Sequence, residues 1–287
     1  MRILKRFARF IVELILAVSI IVFLLVYLLE TTVLNERYVL SCLEESDYYS
    51  KIYELLESNF ENYIQQSGLD ENILENIVTK EDIEKDTEKI IVNIYDGISE
   101  ELSTDKIRAN LSKNINKSIK NQELNDEEQK AIDNFIEEIC KEYKNIISNS
   151  EYEGQINQGY TQIVKYLKII KKVSVISIGI SIVILIVLNL RRNYKIFTNL
   201  GISSLASGII LIAVNIYINV KIKIKYIAIL NEAISVVIRN IASDILSNIL
   251  LYGMVLSVAG VSIVILSNLL HNIYKYKYIL EDETRED

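Results

Sequence analysis

Residues 173–190 read VSVISIGISIVILIVLNL, eighteen positions without a charge. At about 1.5 Å per residue they make roughly 27 Å of helix, close to the hydrocarbon thickness of a bilayer. Lys171 and Lys172 stand before the run, and Arg191 and Arg192 stand after it. This reads as a membrane span. One further span and a long polar segment precede it, and two more spans follow.

Working outward gives a division of the chain. Residues 1–10 are a basic, cytoplasmic N-terminus, and 11–29 are transmembrane helix 1. Residues 30–168 are an acidic, helical, extracytoplasmic domain, and 169–190 are transmembrane helix 2. A cytoplasmic loop at 191–198 leads to transmembrane helix 3 at 199–220. An outer loop with an amphipathic helix occupies 221–247, transmembrane helix 4 covers 248–270, and 271–287 form a cytoplasmic tail. The expected fold class is all-α: a four-pass integral membrane protein with a large helical extracytoplasmic domain between its first two transmembrane helices.

The composition supports that division. Half of the 287 residues are apolar, and they fall in blocks. Ile fills 52 positions, a bias expected of an AT-rich genome, and Pro is absent. No helix is therefore broken by proline. The net charge of −7 is uneven: residues 30–168 carry 30 acidic and 15 basic side chains, leaving that segment at −15 and the remainder at +8. An acidic domain repels a phosphate backbone, so nucleic acid is not an expected partner. Cys42 and Cys140 both lie in the acidic segment, about 12 residues after the first span and about 30 before the second. On straight helices they would differ in height by more than roughly 20 Å, whereas a disulfide needs Cα atoms within about 7 Å. Two separate small buried residues are the reading this favours over a bond.

Arg2, Lys5, Arg6 and Arg9 precede the first span, and almost no base follows it directly. That flank predicts the N-terminus inside, and four spans return the C-terminus inside. Lys165, Lys168, Lys171, Lys172, Lys221, Lys223 and Lys225 then fall outside and run against the rule. The first apolar run is long for a signal peptide and no A-x-A site follows it, so an uncleaved anchor is expected. Glu13 lies one turn inside this span, with Arg9 four residues earlier. An interfacial ion pair is the expected state of the two.

Between the first two spans the apolar residues recur at helical spacing. The stripes are Tyr48–Ile52–Leu55 or Leu56–Phe60, Ile83–Thr87–Ile90–Ile94–Ile98, Ile107–Leu111–Ile115–Ile119, and Ile132–Phe135–Ile136–Ile139–Tyr143–Ile146. Ile156–Tyr160–Ile163–Leu167 runs straight into the second span. Asp47 is an expected N-cap and Gly68 an expected stop, and Thr79 with Asp82 reads as a capping box. A bundle of five or six helical elements follows, with 99–130 as its weakest part. After the third span, apolar positions from Ile227 to Ile245 mark an amphipathic helix suited to the membrane interface or to docking on the outer domain.

Few residues here carry chemistry. His271 is the one histidine, and it sits at the inner end of the fourth span. No H-E-x-x-H, C-x-x-C, P-loop or G-x-S-x-G pattern occurs. Asp82, Glu84 and Asp86 alternate on a helix, without the glycine-bearing loop that calcium sites use. No catalytic, cofactor-binding or metal-ligating residue is assigned, and no cofactor is expected. The spans do offer close-packing pairs four residues apart: Ser177 and Ser181, Ser204 and Gly208, Gly253 and Ser257. Asn189, Asn215, Asn248 and Asn268 can add interhelical hydrogen bonds. The first span is dominated by bulky Leu, Ile, Val and Phe. It is therefore expected toward the lipid, with the last three spans packed together.

The order of one span, a large outer domain and three further spans resembles the membrane layout of cell-division permease-like proteins that partner an ABC ATPase, and of macrolide-exporter-type permeases. The likeness is one of layout, without a shared motif. It implies a membrane subunit of a transport complex, permease-like and partnered with a separate ATPase. The residues themselves point first to a non-enzymatic membrane protein whose outer helical domain binds a partner or senses envelope conditions. Expected partners are the lipid bilayer and a protein not named by the sequence, with a homo-oligomer left open. The expected location is the cell membrane.

Overall fold

The structure, a computed structural model, describes residues 2–67, 69–119, 125–148, 153–190, 194–226, 228 and 231–283. Its helices in chain order are α1 (Arg2–Thr31), α2 (Glu36–Glu45), α3 (Tyr48–Ser67), α4 (Lys80–Asp96), α5 (Asp105–Ser118), α6 (Asp126–Ser148), α7 (Glu153–Asn189), α8 (Tyr194–Ile222) and α9 (Glu232–Glu283). Short 3-10 turns occupy Glu71–Leu74 and Ile224–Tyr226. No strand occurs among the described residues, so the fold is all-α. Lys5–Thr31, Gly159–Asn189, Tyr194–Ile222 and Glu232–Asn272 are long and apolar enough to cross a membrane, which fits a multi-pass membrane protein. The chain divides into two compact units. An apolar unit draws on Met1–Thr32, Lys165–Ile227 and Ile241–Asp287, and an acidic unit on Val33–Val164 and Ala228–Asn240.

Side-chain bonds fix the helix directions in the apolar unit. Ser203 Oγ donates to Glu13 O (3.1 Å) and Ser207 Oγ to Ala17 O (3.0 Å), so α1 and α8 run parallel at an offset of 190 positions. Ser19 Oγ donates to Ser177 Oγ (2.8 Å), Lys171 pairs with Glu30, and Leu16 packs with Leu185, so α7 runs antiparallel to α1. Ser204 Oγ donates to Leu256 O (3.0 Å) and Asn215 Nδ2 to Leu246 O (2.6 Å), so α9 runs antiparallel to α8.

This arrangement corrects the expected position of the first span. In the most apolar windows, 33% of α1 and 39% of α8 is buried inside the protein, against 17% in α7 and in α9. Thus α1 and α8 form the centre, while α7 and α9 present more of their length outward. The cause lies in α8, whose small residues cover two faces rather than one. Ser203 and Ser207 take α1, so bulky Val12, Leu16 and Leu28 fill interior space instead of facing lipid. The outward face of α7 carries exposed Val173, Ile176, Ile180, Val183 and Val187. A continuous apolar stripe of this kind is costly in water and neutral in hydrocarbon.

The fourth span also differs from expectation. The amphipathic stretch and the span are one helix of 52 residues, α9. Asn231 Oδ1 accepts from Ile234 N (2.9 Å) and caps its start, and no proline interrupts it afterward. Ala233, Ser235 and Val237 of its opening turns are buried, and Asn240 Nδ2 donates to Ser46 Oγ (2.9 Å) within the acidic unit.

In the acidic unit, α3 packs on α4 and α6, and α5 packs on α6 and the Glu71–Leu74 turn. Ile52, Leu56, Phe60 and Ile64 line the inner face of α3. Asp47 precedes α3 with φ 53°, and its carboxyl is held below the ordinary range by a hydrogen bond from Ser50. The Thr79–Asp82 capping box is present in both directions. Thr79→Ala is expected to cost about 1 kcal/mol, read as faster hydrogen exchange at the Asp82 and Ile83 amides.

Gly97, at φ 70°, stops α4 in the left-handed conformation, so Ile98 leaves the expected stripe and is 48% exposed. Asn93 is buried beside Thr87 and Ile90 instead. The segment read as weakest is well packed where described: Ile107, Leu111 and Ile115 are buried, though the stripe is only one residue per turn. On α6, Tyr143 is fully buried and its hydroxyl donates to Asp86 Oδ2 (2.6 Å). The expected stop at Gly68, the flank Arg191–Arg192, and the side chains of Ile156, Tyr274, Tyr276 and Tyr278 lie outside the described residues.

Candidate functional site

A polar seam runs between α1, α7 and α8 in the apolar unit. Asn199 of α8 is buried, and its amide nitrogen, in the orientation that satisfies its neighbours, donates to Glu13 Oε1 (3.1 Å) and Lys195 O (3.1 Å). Its oxygen then accepts from Asn189 Nδ2 of α7 (3.2 Å), which also donates to Leu185 O (2.8 Å). Ser203 and Ser207 continue the seam along the α1 backbone. The expected ion pair of Glu13 with Arg9 is not among the ion pairs of the described residues. Glu13 instead turns to the Asn199 amide, and Arg9 Nε is buried without an acceptor among the described residues. An acid inside an apolar bundle must be hydrogen-bonded there, and three helices converge to do it. The serines at 203 and 207 could have been found from their own four-residue spacing, one position before the pair chosen from sequence.

The six packing candidates divide between two interfaces. Gly208 meets Gly253 and Ser257: a Cβ on Gly208 would lie 2.6 Å from Gly253 O and 2.7 Å from Ser257 N. Ser204 bonds across the same interface to Leu256 O. The structure adds a second contact that the four-residue rule missed, because its members lie seven residues from the first. A Cβ on Gly260 would fall 2.5 Å from Leu205 N and 2.7 Å from Gly201 O. Ser177 and Ser181 lie elsewhere, on the face of α7 turned to α1. They line a shallow apolar recess of about 310 Å³ with Val12, Ile15, Ile176 and Ile180. Of the four asparagines, Asn189 and Asn215 make the bonds given above, and Asn268 is exposed. Near the other end of α9, the His271 ring packs on Tyr194 at 4.3 Å between centroids.

The acidic unit contains a groove between α3 and the segment that follows the Glu71–Leu74 turn. Leu56, Phe60, Ile77 and Val78 form its apolar lining, with Tyr53 and Leu74 beside them, and Glu57 and Glu61 stand on its rim. Its volume is about 100 Å³. One wall is held from behind by α5. Asn114 Nδ2 donates to Ile73 O (3.0 Å) and Glu75 O (2.8 Å), and Asn110 Nδ2 to Asn76 O and Ile77 O (3.3 Å each). These bonds hold Asn76 in a left-handed backbone at φ 56°. A hydrogen bond to Glu57 pushes the Tyr53 phenol above its ordinary range, so the phenol remains a neutral donor.

The other titratable groups named from sequence serve the fold. Asp82 is partly buried, which raises its pKa. Its bonds to Lys106 and Thr79 outweigh that and hold it below the ordinary range. Asp86 turns away to Tyr143, so the alternating carboxylates do not converge. Cys42 and Cys140 are buried and not joined in a disulfide, and burial pushes the Cys140 thiol up. No group of three or more metal-binding side chains occurs among the described residues. Comparison with known proteins finds no matching family model, no matching curated protein and no matching solved structure.

Proposed function

We propose that this is a non-enzymatic membrane protein whose acidic helical unit lies outside the cytoplasm and docks a protein partner in the α3 groove. The observation that carries the reading is the groove itself. Its wall is preorganised by four amide bonds, and preorganisation lowers the entropic cost of binding. Its volume of about 100 Å³ is well below the 300–1,000 Å³ of ordinary small-molecule sites, and suits one anchoring side chain. Glu57 and Glu61 on the rim, within a segment at −15, favour a cationic partner by charge complementarity. The partner is thus a segment with one aliphatic or aromatic anchor beside Lys or Arg.

A photo-crosslinking residue at Tyr53 in cells is expected to capture one protein, and the same residue at exposed Lys130 is not. Glu57→Lys with Glu61→Lys should lower the yield about tenfold, equal to about 1.4 kcal/mol. Equal capture from both positions, or capture that survives charge reversal, would exclude this role for the groove. Placement is checked with Lys130→Cys and a membrane-impermeant maleimide on intact cells. The native thiols are buried and give little background. Labelling only after lysis would reverse the topology.

The polar seam around Glu13 supports a second reading, a permease-like subunit of a transport complex partnered with a separate ATPase. Co-purification of an ATPase that depends on Asn199 would favour it over the docking role.

A further inference from the structure

No Asp or Glu occurs from Gly154 to Asn231, while this stretch holds Lys165, Lys168, Lys171, Lys172, Lys221 and Lys223 among its bases. The helix register brings these lysines into one band of the apolar unit, about 10 Å deep along α7. The 190-position offset between α1 and α8 sets Glu30 level with Val220 and Tyr27 level with Tyr217. Lys171 bonds Glu30 and sits 5.9 Å from the Tyr27 ring centroid, which brings the middle of α7, where its apolar run begins, to the same level. Lys171 is thereby engaged. Lys165, Lys168, Lys172, Lys221 and Lys223 are exposed, and none has an ion pair among the described residues. Tyr217 is 64% exposed and Tyr166 63% exposed beside them. Along α1, Arg9 and Glu30 are separated by about 31 Å of helix, near the thickness of a hydrocarbon core.

We infer that this lysine–tyrosine collar binds the phosphates of anionic phospholipids in the leaflet it faces. Tyr217 lies one turn inside Lys221 on α8 and Tyr166 lies among the lysines of α7, a mixture of phenols and ammonium groups that suits the headgroup layer of a lipid interface. Helix α8 ends at Ile222, and Lys223 follows at φ 45°, outside helical geometry.

The test uses the full chain in vesicles of phosphatidylcholine alone or mixed with phosphatidylglycerol. Lipid retained by the purified protein is counted by native mass spectrometry, and thermal stability is read in parallel. Wild type should retain phosphatidylglycerol selectively and gain in Tm. Each lysine among 165, 168, 172 and 221 changed to Gln should lower phosphatidylglycerol occupancy by about fivefold, following the value of a base near an anionic surface. Lys→Arg at the same positions should preserve it. Where a variant combining all four changes does not fold, the single variants carry the test. Soluble glycerol phosphate added to phosphatidylcholine vesicles should give no gain in Tm. Occupancy unchanged by Lys→Gln, or an equal gain from glycerol phosphate, would overturn the assignment.

Discussion

Gly208→Leu is expected to take the α8–α9 pair apart. A single Cβ at Gly208 already meets Ser257 Oγ and comes within 2.6 Å of Gly253 O. Gly253 O and Ser257 N, the latter 2.7 Å away, are backbone atoms of the facing helix, so relief requires moving α9 rather than turning a side chain. Overpacking in ordinary cores costs about 1–3 kcal/mol, and a leucine against a rigid backbone belongs at or above the top of that range. Gly260→Leu should behave likewise, for its Cβ would lie 2.5 Å from Leu205 N. Gly179→Leu is the matched control, since nothing lies within 4 Å of its Cβ position. Its effect should stay within about 0.5 kcal/mol. Detergent-to-SDS titration followed by far-UV circular dichroism compares the three. Equal midpoints for Gly208→Leu and Gly179→Leu would show that the glycine contacts do not hold the pair.

Leu111→Ala should destabilise the acidic unit by about 2–5 kcal/mol, the usual range for a buried leucine. Leu111 is 0% exposed, and α5 packs on α6, which carries buried Cys140. Thiol labelling of Cys140 in the full chain therefore reports the opening of this core. A loss of 2 kcal/mol raises the open population, and with it the labelling rate, roughly 30-fold. Ile98→Ala, at a site 48% exposed, should leave the rate nearly unchanged. Labelling of Leu111→Ala at the wild-type rate would remove α5 from the core.

Periodicity revealed most of the helices because an amphipathic helix writes its buried face into every third or fourth residue. The stripes at Ile52–Phe60, Ile107–Ile115 and Phe135–Tyr143 face inward as they read. Capping chemistry placed the start of α4 because Thr79 and Asp82 act locally. Partner choice in the apolar bundle was harder to read. In hydrocarbon every face of a helix is apolar, so hydrophobicity does not say which face meets protein. Bulky α1 looked lipid-facing for that reason, whereas its burial depends on serines of α8 far away in sequence. The Gly201–Gly260 contact follows the same logic, since neither glycine has a small neighbour four residues away on its own contact face. The groove was illegible because its wall is a loop fixed by Asn110 and Asn114, two polar residues that flank the apolar stripe of α5.

The central pairing of α1 with α8 sets an order for biogenesis. The two helices that touch most intimately are made 190 positions apart. At about 5–20 residues per second, the ribosome delivers α8 roughly 10–40 s after α1. Throughout that interval Glu13 lies in the bilayer without the Asn199 amide. The nascent first helix therefore needs a temporary polar neighbour, a displaced position near the headgroups, or a protonated carboxyl until its lasting companion arrives.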